Sequence, residues 1–235
     1  MIDFHAHCLP ALDDGAQDVS IAIEMLADSK KQGVDIVVAT PHFYANGRTV
    51  DDFIVKRNES YRALMDEAEC TGADIPEIVL ASEVRLGYSV LELDDLDRLC
   101  IGDSRYMLVE MPYSVWNTDI YELLYTVMIK YKIIPVMAHI ERYIDINKKI
   151  DAYLPIFNLG VKVQANAEGF LGFLSRRFLG KLIKSGNLHV IGSDMHNMSD
   201  RKSKIADAVK KIEKKFGSGF LHDVNQIAED ILNLQ

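Results

Sequence analysis

The chain has 235 residues, 49% of them hydrophobic, which suffices for a sizeable core and excludes a disordered tail, a collagen-like repeat or a minimal disulfide scaffold. With 26 Lys and Arg against 35 Asp and Glu, a formal charge of −9 sets the surface against nucleic acid and anionic membrane unless a local patch reverses its sign. Cys8, Cys70 and Cys100 are too few and too widely spaced for a disulfide framework, fit a reducing compartment, and are expected to be packing residues.

Met1-Ile2-Asp3-Phe4-His5 has no basic segment followed by an apolar one. The longest stretch free of Asp, Glu, Lys and Arg runs only from Ile36 to Gly47. Neither a signal peptide nor a membrane span is expected, so a cytoplasmic protein without direct membrane insertion follows.

In chain order, a strand is predicted at Ile2–His5 and a helix at Val19–Gln32, stopped by Gly33, a residue suited to the left-handed position past a helix end. A second strand at Ile36–Ala39 precedes a long helix at Asp51–Cys70, and strands follow at Ile78–Ala81 and Tyr106–Glu110. Ile120, Leu123, Leu124, Val127, Met128 and Tyr131 recur along one helical face. The apolar run from Ile133 to Ala138 is too short for an average helix and reads as a buried strand at Pro135–His139. Lys162–Asn166 and His189–Gly192 complete seven strands, with a helix at Phe173–Lys184 between them. Ile205, Ala208, Val209, Ile212 and Phe216 keep helical spacing, and Leu221–Leu234 reads as a final helix.

Strands separated by helical crossovers require a parallel sheet. Seven such units could close into a barrel, with an open doubly wound sheet as the alternative. No linker, repeat or composition shift divides the chain, so 1–235 is read as one domain.

The chemistry collects at the strand ends. His5 and His7, two apart, face the same way at the end of the first strand, a spacing that lets two imidazoles reach one ion. Beyond the next strands stand His42, Glu83, Glu110, His139, Asp194 and His196, with Asp14 in the loop after the first. In a parallel barrel these positions converge on the functional face. Five imidazoles and four carboxylates would serve two or three divalent ions, and a nitrogen and oxygen set without thiolate suits manganese, iron or zinc.

Such ions would outweigh the carboxylates and welcome an anion. Water acidified to a pKa of roughly 7 would attack a phosphoryl group in line. Arg142 and Arg201 are placed to donate to its oxygens. A cysteine phosphatase loop is absent, since Cys100 meets Arg105 one residue too soon, and no phosphate-binding glycine loop, serine elbow or Cys-x-x-Cys pair is present.

Ile2-Asp3-Phe4-His5-Ala6-His7, Asp13-Asp14-Gly15, Ser82-Glu83-Val84-Arg85, Asp103-Ser104-Arg105-Tyr106, Ala138-His139-Ile140-Glu141-Arg142-Tyr143 and Gly192-Ser193-Asp194-Met195-His196-Asn197 together resemble the PHP (polymerase and histidinol phosphatase) superfamily. Within it they look like the bacterial manganese-dependent protein-tyrosine phosphatases of capsule and exopolysaccharide operons. The resemblance covers the whole chain and implies an α/β fold, a distorted TIM-like (β/α)7 barrel with the metal site at the C-terminal strand ends. It implies one metal on His5, His7, Glu83 and Asp194, a second on Glu83, Glu110 and His139, and a third on Asp14, His42 and His196, with phosphate held by Arg142 and Arg201. Carboxylates at Asp14 and Glu110, where other branches have histidine, favour the tyrosine-phosphatase branch and manganese over zinc.

The implied substrate is the phosphotyrosine tail of a bacterial tyrosine autokinase that controls polysaccharide export. Phe43, Tyr44, Tyr113 and Trp116 lie in loops near the site, where they either flank a phosphotyrosine ring or, as is commoner for loop aromatics, simply pack. The leading expectation is therefore a metal-dependent protein-tyrosine phosphatase. The alternatives are a small-molecule phosphomonoesterase such as a histidinol phosphatase, and a non-catalytic metal-binding module. A nuclease is disfavoured by the −9 charge and by the lack of a basic stripe in the sequence, and a homo-oligomer is left open.

Overall fold

Every strand pairing is parallel, as the alternation of strands and helices requires. The computed structural model describes residues 1–234. In chain order the elements are β1 (Ile2–Ala6), α1 (Val19–Lys31), β2 (Ile36–Ala39), β3 (His42–Phe43), α2 (Val50–Thr71), β4 (Glu77–Leu80), β5 (Glu83–Arg85), β6 (Tyr106–Glu110), α3 (Thr118–Tyr131), β7 (Ile134–Met137), α4 (Leu154–Asn158), β8 (Lys162–Asn166), α5 (Phe173–Lys184), β9 (Val190–Gly192), α6 (Ile205–Phe216) and α7 (Ser218–Leu232). The helices start where short polar side chains satisfy their free N–H groups: Asp18 accepts from Ile21, Thr49 from Asp52, and Asn117 from Ile120.

The strands run in the orders β1-β2-β4 and β3-β5-β6-β7-β8-β9. Two bends join these sheets into one curled surface. β2 continues into β3 across Thr40-Pro41, and β4 into β5 across Ala81-Ser82, so nine short strands occupy the seven predicted positions. Pro41 has no N–H for a ladder, yet its carbonyl accepts from Glu83 N at 3.0 Å. The buried Arg57 guanidinium holds the second bend, donating to Ala81 O at 3.0 Å and Ser82 Oγ at 3.3 Å. The surface closes where Asp194 N donates to His5 O at 2.7 Å and His7 N to Met195 O at 3.0 Å.

Ile2, Phe4, Val38, Leu108, Val136 and Val190 fill the middle of the barrel, so it is a packed core and not a pore. Ala228 and Ile231 of α7 join this cluster and plug one end. A larger cluster, including Met107, Val109, Met137 and Val163, packs the sheet against its helices. Among the described residues no helix is long and apolar enough to cross a membrane.

The strand expected over Pro135–His139 stops at Met137, because His139 takes a left-handed backbone with φ 35°. Cys8 and Cys100 are buried as expected, but Cys70 is exposed near the end of α2 and is not a packing residue.

Candidate metal centre

The open end of the barrel gathers the expected histidines and carboxylates. A register shift between Asp3 and Ala6 breaks the regular pairing of β1 with β2 just where His5 stands, the kind of irregularity that re-aims a side chain. Gly192 makes room for it: a Cβ there would lie 2.4 Å from the His5 Cβ. Asp194, like His139, holds a left-handed backbone, with φ 55°. Such conformations are costly for non-glycine residues, and two of them fall at candidate ligands.

His5, His7 and Glu83 form one potential ligand set, Glu83, Glu110 and His139 a second, and His7, Asp14, His42 and His196 a third; within each, the donor atoms lie within 4.8 Å of one another. His7 and Glu83 each belong to two sets and so link all three. The Nε2 atoms of His5 and His7 are 3.1 Å apart and lie 3.4 and 3.3 Å from Glu83 Oε2. Glu83 Oε1 meets His139 Nε2 at 2.8 Å. Asp14 Oδ1 lies 3.4 Å from His42 Nε2 and 3.5 Å from His196 Nε2. Asp194 Oδ1 stands 3.7 and 3.6 Å from the Nε2 atoms of His5 and His7, beside the first set.

The two arginines face the same carboxylates. Arg142 donates to Asp194 Oδ2, while Arg201 reaches Asp194 Oδ1 at 3.3 Å and Asp14 Oδ2 at 3.5 Å. Both guanidiniums retain solvent access, so they flank the mouth of the site.

The donors fit divalent cations on an independent ground. Buried polar atoms are nearly always hydrogen-bonded, yet Glu110 Oε2, His139 Nδ1 and His196 Nε2 have no hydrogen-bond partner, while His42 Nδ1 lies 2.9 Å from Glu83 Oε2. Burial pushes the Glu83 carboxyl up, but His5, His139 and His42 outweigh it and hold the group well below the ordinary carboxylate range. Burial opposes ionisation of Asp194 too; there His5, Arg142 and His7 prevail and its carboxyl is held low. Burial would lower the His7 imidazole, whereas Asp13 and Glu83 raise it to about 10. His196, stacked on His7 with centroids 3.9 Å apart, is driven down to about 3 by burial and by the His7 charge. Ionised carboxylates in this enclosure demand compensating positive charge, as protons on histidine or as a bound cation.

Several supporting residues escape sequence reasoning. Asp13 binds His7 Nδ1 at 2.7 Å and accepts from the His42 backbone N–H at 2.9 Å, so it fixes one ring and the main chain beneath a second. β8 supplies no candidate ligand, but its inward amides contact three of them. Gln164 Oε1 accepts from His139 N at 2.6 Å and faces His5 Nδ1 at 3.3 Å, while Gln164 Nε2 donates to Asn166, whose Nδ2 donates to Asp194 Oδ2 at 2.9 Å. The available signal was two polar residues at alternate positions of an otherwise buried strand.

The aromatic expectations divide. Tyr44 lies 5.3 Å from the His42 ring, and Tyr113 is exposed. Phe43 instead packs against Phe53 with no exposure, and Trp116 is buried on Tyr143 and Tyr153, so neither is free to flank a substrate ring.

The family described as capsular polysaccharide synthesis, CpsB/CapC, matches residues 1–232. The tyrosine-protein phosphatase YwqE of Bacillus subtilis is 32% identical, over 100% of this chain and 92% of its own length. The tyrosine-protein phosphatase CpsB of Streptococcus agalactiae serotype III is 28% identical, over 92% of this chain and 91% of its own length. Crystal structures of YwqE from Bacillus subtilis and CpsB from Streptococcus pneumoniae, described as unique metal-dependent tyrosine phosphatases, include a chain that superposes with a TM-score of 0.85 at 28% identity, covering 100% of this chain and 95% of that one.

Proposed function

The chain belongs to the CpsB/CapC family of capsular polysaccharide synthesis, and from that premise we propose that it is a metal-dependent protein-tyrosine phosphatase whose natural substrate is the phosphotyrosine tail of a bacterial tyrosine autokinase. Its relatives are named tyrosine-protein phosphatases along almost their whole length. The observation that carries the reading is the junction of three ligand sets at His7 and Glu83, with unpartnered buried donors in two of them. The ligands are read as His5, His7, Asp14, His42, Glu83, Glu110, His139, Asp194 and His196, holding two or three manganese ions, with iron or zinc as alternatives. The domain is read as 1–235 and the location as cytoplasmic.

Divalent ions held there would supply Lewis-acid stabilisation of the phosphoryl oxygens and acidify water. The chain's own residues do the rest. Arg142 and Arg201 exchange part of their pairing with Asp194 for bidentate bonds to phosphate, and so neutralise charge as the bond to tyrosine breaks. Asp13, Gln164 and Asn166 hold the rings and the Asp194 carboxylate in register. The departing phenolate, with an ordinary pKa near 10, needs little protonation to leave.

The test is hydrolysis of a phosphotyrosyl peptide beside histidinol phosphate, using metal-stripped protein with manganese, iron(II), zinc or magnesium restored in turn. Peptide turnover rescued best by manganese supports the reading. Faster turnover of histidinol phosphate replaces it with a small-molecule phosphatase. No turnover despite tight metal binding leaves a binding module.

A further inference from the structure

The acidic chain carries a face of opposite sign. No long basic run marks it in the sequence; two helices assemble it. Arg177, Lys181 and Lys184 of α5 face Lys211, Lys214 and Lys215 of α6 across a groove with cavities of about 280 and 370 Å³, and no carboxylate lines either cavity. All six cations are exposed, and none has an ion-pair partner among the described residues. Gly180 lets the helices approach this closely, since a Cβ there would press on the Phe216 ring at 3.1 Å.

An apolar feature continues the same face. Phe173 and Leu174, at the start of α5, are 71% and 72% exposed. Phe173, Arg177, Lys181 and Lys184 follow at spacings of four, four and three residues, so they form one outward stripe about 16 Å long. Leu179 and Leu182, on the other side of α5, are buried. An aromatic and a leucine at the end of a stripe of cations match a surface that offers negative charge with hydrocarbon beneath it. An acidic peptide would use the cations and leave the exposed pair without a role.

We propose that this face seats the protein peripherally on an anionic phospholipid surface, with the α5 and α6 cations on the headgroups and Phe173 and Leu174 dipping into the acyl boundary. α5 begins just beyond β8, whose end carries Asn166 of the metal centre, so the seated barrel lies on its flank with the mouth of the site beside the bilayer. The seat does not require the phosphatase reading to be correct.

The test is co-sedimentation of the full chain with vesicles of phosphatidylcholine alone or with 30% phosphatidylglycerol, at low and high salt. Binding is expected only with the anionic lipid and falls as salt rises. Replacing Arg177→Gln, Lys181→Gln and Lys184→Gln together should weaken it about a hundredfold, at about fivefold per cation, and the trio Lys211→Gln, Lys214→Gln and Lys215→Gln should do the same. Phe173→Ala with Leu174→Ala should weaken it without changing the salt dependence. All three variants keep turnover of a soluble phosphotyrosyl peptide, which separates a failed seat from a failed fold or a failed phosphatase. No binding to anionic vesicles, equal binding to neutral ones, or capture of a polyglutamate peptide in place of vesicles overturns the proposal.

Discussion

The two ends of the barrel are built on opposite rules. At one end Phe4, Leu108, Val136 and Val190 meet Ala228 and Ile231 of α7 in a plug of apolar side chains. At the other, a few residues further along the same strands, histidines and carboxylates crowd together with unpartnered atoms and two candidate ligands in left-handed backbone conformations. The first arrangement removes hydrocarbon from water and stabilises; the second withholds ordinary hydrogen bonds and holds charge ready. One short barrel can carry both because the plugged end tolerates the cost of the open one.

Substitutions at either end should therefore separate activity from stability. The largest effect belongs to His139→Ala or Asp194→Ala: turnover of the phosphotyrosyl peptide should fall by at least about a thousandfold while thermal melting shows a largely intact fold. Near-normal kinetics in either variant would break the site assignment. At the plug, Ile231→Ala should cost about 2–5 kcal/mol of unfolding free energy by urea titration, with unchanged turnover per folded molecule. Arg142→Ala should lower kcat/KM by about ten- to a hundredfold, the scale of a hydrogen bond to a charged group, and leave manganese affinity intact; an unchanged kcat/KM removes it from phosphate handling. Gln164→Leu should weaken manganese binding by about ten- to a hundredfold in calorimetry, as loss of an orienting partner does.

The smallest effect concerns pH at the plugged end. His189, at the entrance of β9, accepts from Val163 N through Nδ1 at 3.0 Å, and burial together with Lys162 lowers its pKa to about 4. Its unfolded value is about 6.5, so between those two the unfolded chain binds more protons and stability declines as pH falls. Because the ring is partly exposed, the loss is screened to about 1 kcal/mol. Urea stability at pH 7 and pH 4 should differ by that much more in the wild type than in His189→Asn, and equal differences would contradict the assignment.

The sequence made the parallel barrel readable because buried strands and amphipathic helices have distinct periods, and the histidines and carboxylates that meet at its open end could be picked out because they stand at the strand ends. The bends at Thr40-Pro41 and Ala81-Ser82 were not readable, since a strand that changes neighbours keeps its apolar pattern. The second of them depends on Arg57, which is distant in the chain. Gln164 and Asn166 look like ordinary polar strand residues until His139 and Asp194 come within reach. Whether Trp116 and Phe43 pack or face the site was not readable, because a loop aromatic gives no local sign of whether a neighbouring ring covers it. The cationic groove was hidden for a related reason: its two rows come from helices separated by β9.

The closure between His5 and Asp194 joins segments far apart in the chain through backbone bonds from Asp194 to His5 and from His7 to Met195. β1 is made well before Asp194 and His196, which follow His5 by 189 and 191 residues (194 − 5 and 196 − 5). A ribosome-bound fragment holds the His-x-His pair but lacks the carboxylate and imidazole that finish its surroundings, and such long-range contacts form late. The candidate ligands around His5 and His7 therefore come together only after the chain has been made past His196.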